Sequence, residues 1–129
     1  MTFRRRPERR FDPVRLGALE QQVMDVLWDH GPLTIRQVIT RLDTDPAYTT
    51  IATVLANLER KHLVTPERRD RSVHYAPRHT REMHAAQIME QALSSTDDRA
   101  ASILHFIDAI DPSDVQLLRD YLNRRGDPA

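Results

Sequence analysis

Apolar residues recur along this chain at helical spacing, in stretches separated by short polar breaks. Leu19, Val23, Val26 and Leu27 fall at i, i+4, i+7 and i+8, one face of a helix that starts near Leu16. Gly31-Pro32 closes it in the order that ends helices. Thr34 is placed to cap a second helix with the stripe Ile35, Val38, Ile39 and Leu42. Pro46 disfavours helix at Asp45 and makes a turn of residues 43–46. A third helix runs from about Tyr48 to His62, with Ile51, Val54, Leu55 and Leu58 on its buried side. Two β-type runs follow, Leu63-Val64-Thr65 and Val73-His74-Tyr75. The polar residues 66–72 lie between them without an Asn-Gly signal, so a hairpin with a longer loop is expected.

After Pro77 the pattern is helical throughout. Thr80 can cap a helix carrying Ala85, Ile88, Met89 and Ala92. Residues 94–98 form a cap-rich break before a stripe of Ala100, Ile103, Leu104, Ile107 and Ile110. Asp111 as N-cap and Pro112 at the first helical position open the last helix, whose stripe is Val115, Leu118, Tyr121 and Leu122. Gly126 ends it. The expected fold is mainly α with a small antiparallel β wing: a winged helix-turn-helix domain over residues 14–78 and a three-helix dimerisation domain over 79–129. Residues 1–13, with five arginines and two prolines, are expected to be a disordered basic arm.

The dimerisation reading is physical. Residues 79–129 are too few to bury an adequate core alone. A second copy would cover Ile88, Met89, Ile103, Leu104, Ile107, Ile110, Val115, Leu118 and Leu122. Charge divides at the same place. Residues 1–78 carry 14 Lys and Arg against 10 Asp and Glu, a surplus of four, and residues 79–129 carry 5 against 9, a deficit of four. The zero net charge therefore hides a basic front half suited to nucleic acid. The absence of cysteine excludes disulfides and thiolate metal sites. No apolar run reaches the 18 residues of a membrane span and no signal-peptide pattern follows Met1, so a cytoplasmic protein without membrane insertion is expected.

A helix that reads DNA needs short hydrogen-bonding side chains opposite its buried stripe. Thr49, Thr50, Thr53, Asn57 and Arg60 stand there on the third helix. The threonines can bond a base edge or a phosphate, Asn57 suits adenine, and Arg60 suits phosphate. Thr34, at the head of the second helix, joins them as a DNA-contact candidate. In the wing, Arg68, Arg69 and Arg71 suit phosphate contact, and the arm arginines could reach a minor groove. Double-stranded DNA is the expected partner, and two linked reading heads match a palindromic operator.

Leu16 to Glu20, Val26-Leu27-Trp28, Thr34 to Val38, Tyr48 to Leu55, and Arg71 to Pro77 together resemble the penicillinase-repressor family. The resemblance extends from Leu16 to about Tyr121. It implies a winged-helix repressor that dimerises through three helices and represses an antibiotic-resistance operon. Family members that respond to β-lactams are cut by a membrane sensor protease before a phenylalanine in the fifth helix. The corresponding bond here is His105–Phe106, where the better-known members have asparagine before the phenylalanine. The copper-responsive branch ends in a cysteine motif, which this chain lacks.

Six histidines show no metal-binding spacing and read as partly exposed residues without a ligand role. Trp28 and Tyr48 are expected to pack in the winged-helix core. No nucleophile-base pair, phosphate loop or metal spacing points to an enzyme, and no cofactor or metal is expected. The alternative reading is a small-molecule-responsive winged-helix regulator with its effector between the two domains.

Overall fold

The computed structural model describes residues 15–126, so the expected basic arm over 1–13 lies outside the described residues. The chain divides into two compact units between Ile88 and Met89. The first holds α1 (Ala18–His30), α2 (Ile35–Thr40), α3 (Tyr48–Arg60), β1 (Val64–Arg69), β2 (Ser72–Pro77) and the start of α4 (Arg81–Ser94).

The core of this unit is built round α3. Ile51, Val54, Leu55 and Leu58 pack with Val23, Met24 and Leu27 of α1, Val38 of α2, and Leu33, Leu63 and Val64. Each such side chain contributes about 1.5–3 kcal/mol by leaving water. Polar links fix the helix ends over it. Gly17 N–H donates to Glu20 Oε1 at 3.0 Å, and the Lys61 ammonium lies 2.9 Å from the same carboxylate. This pair, about 15% exposed, ties the start of α1 to the end of α3. Partial burial pushes the Glu20 carboxyl up, but the Gly17 N–H and Lys61 outweigh it and hold it below the usual carboxylate range.

Three backbone positions set the connections. Gly31 has φ 81° and ψ −160°, a region open essentially to glycine alone, and its N–H donates to Leu27 O at 2.8 Å. The turn delivers Leu33 to β2, where its backbone exchanges both hydrogen bonds with Tyr75, at 3.1 and 2.8 Å. His62 takes the left-handed position after α3, with φ 66°. Its N–H donates to Glu59 O and the Leu63 N–H to Leu58 O, a Schellman arrangement that turns the chain into β1 and buries Leu63. Asp70, at φ 56°, sits in the tip of the hairpin.

The hairpin corrects one expectation. Its strands reach Arg69 and Ser72, which pair directly, so the loop is the two residues Asp70 and Arg71. Aspartate tolerates the left-handed region and supplied the tight turn without an Asn-Gly pair. Pro66, inside β1, lies opposite Tyr75. The Tyr75 backbone bonds Leu33 on its other side, so this pair needs no donor from the proline.

Trp28 packs on the core as expected, but with a neighbourhood not read from the sequence. Its Nε1 donates to His79 O at 2.9 Å, and the Arg81 guanidinium stacks on its ring at 5.1 Å while reaching Asp25 and Asp29. His84 packs against the same ring, 5.4 Å between centroids. It is 4% exposed, and neither ring nitrogen has a hydrogen-bond partner, which corrects the expectation of partly exposed histidines. An imidazole between a helix and an indole finds more carbon than water. Burial, helped by the charge of His79, pushes the His84 imidazole below its ordinary value.

The second unit holds the rest of α4, then α5 (Arg99–Ala109) and α6 (Pro112–Arg124). Asp98 caps α5, accepting from Ala101 N–H at 3.0 Å, and Pro112 opens α6. None of its described residues is buried.

Two outcomes follow from the first unit. Gly31→Ala should lower stability by about 1–3 kcal/mol in urea melts, although a methyl there meets no atom within 4 Å, because the backbone angle alone opposes it. For His84, the unfolded chain binds a proton more readily than the folded one, so stability is full above pH about 6.5 and falls as the pH drops toward the lowered folded value. Urea melts from pH 7.5 to 5 should show that fall, and His84→Leu should flatten it.

Candidate nucleic-acid interface

The free face of α3 stands beside its buried stripe. At 100° per residue, Thr49, Thr50, Thr53, Asn57 and Arg60 fall within about a 100° arc, separate from the arc of Ile51, Val54, Leu55 and Leu58. Thr49, Thr50, Thr53 and Arg60 are exposed and Asn57 is half-buried. Ala56 lies next to the threonines and adds no bulk that would hold another surface away. Asn57 Oδ1 accepts from Arg60 Nη1 at 2.8 Å, so these two side chains act together. A two-pronged contact from Asn57 to adenine requires Arg60 to move off.

Thr34 has a definite structural task. Its Oγ1 accepts from Gln37 N–H at 3.2 Å while its own N–H donates to Gln37 Oε1 at 2.9 Å. This capping box fixes the start of α2, and the hydroxyl proton remains available to another acceptor.

The wing arginines do not form one cluster. Arg68 and Arg69 are neighbours in β1, so their side chains leave opposite faces of the hairpin, and Arg71 stands in the turn. Arg69 is held by Glu67 at 3.0 Å. Both partners are about half exposed, so the pair adds little stability, but it offsets one of the three charges. Arg68 and Arg71 make no ion pair among the described residues.

Tyr48 corrects another expectation. It does not lie in the core; it begins α3 with 47% of its surface exposed. The Arg36 guanidinium of α2 stacks over its ring, 5.3 Å from the centroid. Neither residue was among the contact candidates read from the sequence. The available signal was an arginine near the start of the second helix and an aromatic residue opening the third. Tyr75, by contrast, is half-buried, and burial with Glu59 nearby pushes its hydroxyl up.

Among the described residues, no group of three or more His, Cys, Asp or Glu side chains is placed to hold a metal ion. No helix among them is long and apolar enough to cross a membrane.

The family model described as Penicillinase repressor matches residues 16–124. The protein described as "Transcriptional regulator BlaI" from Mycobacterium tuberculosis, strain CDC 1551 / Oshkosh, is 42% identical over 111 residues, 81% of this chain and 80% of the relative. The same figures hold for strain ATCC 25618 / H37Rv. Among solved structures, a MarR family protein from Bacillus stearothermophilus superposes with a TM-score of 0.50 at 13% identity, over 92% of this chain and 76% of that one. At that identity the likeness concerns the fold, a winged helix.

The split of the wing charges has a measurable consequence. On a duplex that binds one copy, Arg68→Ala or Arg71→Ala should each reduce the slope of log K against log salt by about 0.9. Arg69→Ala should reduce it less, because Glu67 already offsets that charge. Equal slopes for all three variants and the parent would place the wing away from the phosphates.

Proposed function

The chain belongs to the penicillinase repressor family of DNA-binding transcriptional repressors, and on that premise we propose that it acts as a homodimer gripping a palindromic operator through α3 of each copy. Thr49, Thr50 and Thr53 read base edges, joined by Asn57 when it releases Arg60, while Arg60, Arg68 and Arg71 meet phosphate. Two heads on one operator make the second contact intramolecular, which multiplies affinity by about 10²–10⁴ over a single head.

The observation that carries the dimer is the uncovered apolar surface of the second unit. Ile88, at the division, and Met89, Ile103, Leu104, Phe106, Leu117, Leu118, Tyr121 and Leu122 are all exposed, Leu104 at 65% and Leu117 at 62%. Ile107, Ile110 and Val115 are half-buried. Side chains of this size, gathered in one short segment, lose free energy in water unless another surface covers them. A second copy brings the same apolar set and closes the assembly by two-fold symmetry. Leu117 widens the stripe read from the sequence.

Repression ends, on this reading, by proteolysis at His105–Phe106. Both residues are exposed in the middle of α5. A protease needs an extended strand, so the bond becomes accessible only when that part of α5 unwinds. With no buried residue in α5, unwinding is inexpensive until a partner covers it. The cut would divide the stripe of Ile103, Leu104, Ile107 and Ile110 and detach α6 from the chain.

The test uses the full chain and the DNA upstream of its own gene. Leu104→Asp with Leu122→Asp should sediment as a monomer, keep its winged-helix circular dichroism, and bind the operator about 10²–10⁴ times more weakly. Thr53→Ala should cost about 1–3 kcal/mol on the operator and little on random duplex. Truncation after His105 should reproduce the loss seen with the paired aspartates. A truncated chain that stays dimeric with full affinity would sink both the interface and the release mechanism. Operator binding that responds instead to a small molecule without cleavage would favour an effector-controlled regulator.

A further inference from the structure

The Arg36–Tyr48 stack lies outside every role assigned so far. We propose that Arg36 and Tyr48 form a phosphate-gripping pair that fixes how deeply α3 enters the major groove, an inference that rests on the DNA reading above and extends it to α2. Tyr48 is the first residue of α3 and is followed directly by Thr49 and Thr50. It is 47% exposed, and the Arg36 guanidinium lies over its ring, 5.3 Å from the centroid.

A second stacked arginine shows why the charge matters. Arg81 stacks on Trp28 at a similar distance, 5.1 Å, but reaches the carboxylates of Asp25 and Asp29 at 3.4 and 3.2 Å. That stack is neutralised and joins two parts of the fold. Arg36 is exposed and makes no ion pair with a carboxylate among the described residues. Stacking covers one face of a guanidinium and leaves its N–H groups, which lie in the plane, free to fork onto an anion.

The anion this geometry fits is a DNA phosphate. An arginine held rigid by an aromatic ring loses little rotamer freedom on contact. A contact at the head of the helix that carries Thr49, Thr50 and Thr53 sets register and orientation while carrying no sequence information. Tyr48 acts through Arg36 and is a positioning residue.

Full-length protein is titrated into its own upstream duplex and into a random duplex of equal length, by fluorescence anisotropy over a range of salt. Arg36→Ala should weaken binding about tenfold on both duplexes and shrink the salt slope by about 0.9 per bound copy. Arg36→Lys should keep the slope but recover only part of the affinity, because an ammonium neither stacks nor forks in the same way. Tyr48→Leu should weaken both duplexes, Tyr48→Phe should stay within a few-fold of the parent, and Arg36→Ala with Tyr48→Leu should be less than additive. Circular dichroism melts check that each variant folds, and Arg36→Gln replaces Arg36→Ala if the latter does not.

An unchanged salt slope in the folded Arg36 variant overturns the pair, as does a loss confined to the specific duplex or full recovery in Arg36→Lys. Thr53→Ala separates the two levels. If its loss is confined to the specific duplex while Arg36→Ala leaves the slope intact, the pair fails and the reading by α3 stands. A parent chain that binds neither duplex removes both.

Discussion

Everything in the first unit depends on keeping the two sides of α3 distinct. One arc of that helix must be sealed by apolar contact while the adjacent arc stays bare, and the two are separated by little more than a side chain's width. Val23, Met24 and Leu27, with Val38, Leu63 and Val64, seal the first arc from several directions. None of them reaches round to the threonines, because each belongs to an element whose approach is fixed elsewhere. Gly31 sets where α1 ends, Thr34 where α2 begins, and His62 where the chain leaves α3. The core supplies the energy, and these terminal positions decide which face it covers.

Ionic contacts have divided tasks in the same scheme. The Glu20–Lys61 pair is largely withdrawn from water and joins helix ends that are 41 residues apart in the chain. It therefore bears on the shape of the domain more than the exposed Glu67–Arg69 pair does. Arg81 fixes the start of α4 against α1, with Trp28 as a common floor for Arg81 and His84. Cations committed to such contacts are spent on architecture. Arg36, Arg68 and Arg71 are among the described arginines that make no ion pair with a carboxylate, and these three stand on the helix-turn-helix and its wing.

Much of the fold was legible in the sequence because its signals are local. The 3.6-residue stripes, the Gly31-Pro32 stop and the Thr34 cap each depend on residues within a turn of one another. The free threonine arc was legible for the same reason, being the complement of a visible stripe. What escaped was set by contacts between distant segments. The hairpin turn reads as a long loop because Asp70 is not a glycine, and only the pairing of Arg69 with Ser72 makes it tight. Tyr48 reads as core because aromatic residues usually are, and the residue that lies over it, Arg36, is on another helix. His84 reads as a surface histidine because nothing nearby in sequence announces Trp28.

Pro66 has a consequence beyond its own strand. β1 is an outer strand of the two-stranded sheet, and opposite Tyr75 the proline's backbone faces outward rather than toward β2. At that point a bare strand would offer a donor to any passing chain. In the dimer proposed above, two such edges would be held at a steeply raised local concentration. A residue with no N–H leaves a gap in the ladder that a neighbouring wing would need. The wing can thus keep an open strand edge and still resist pairing with a neighbouring chain.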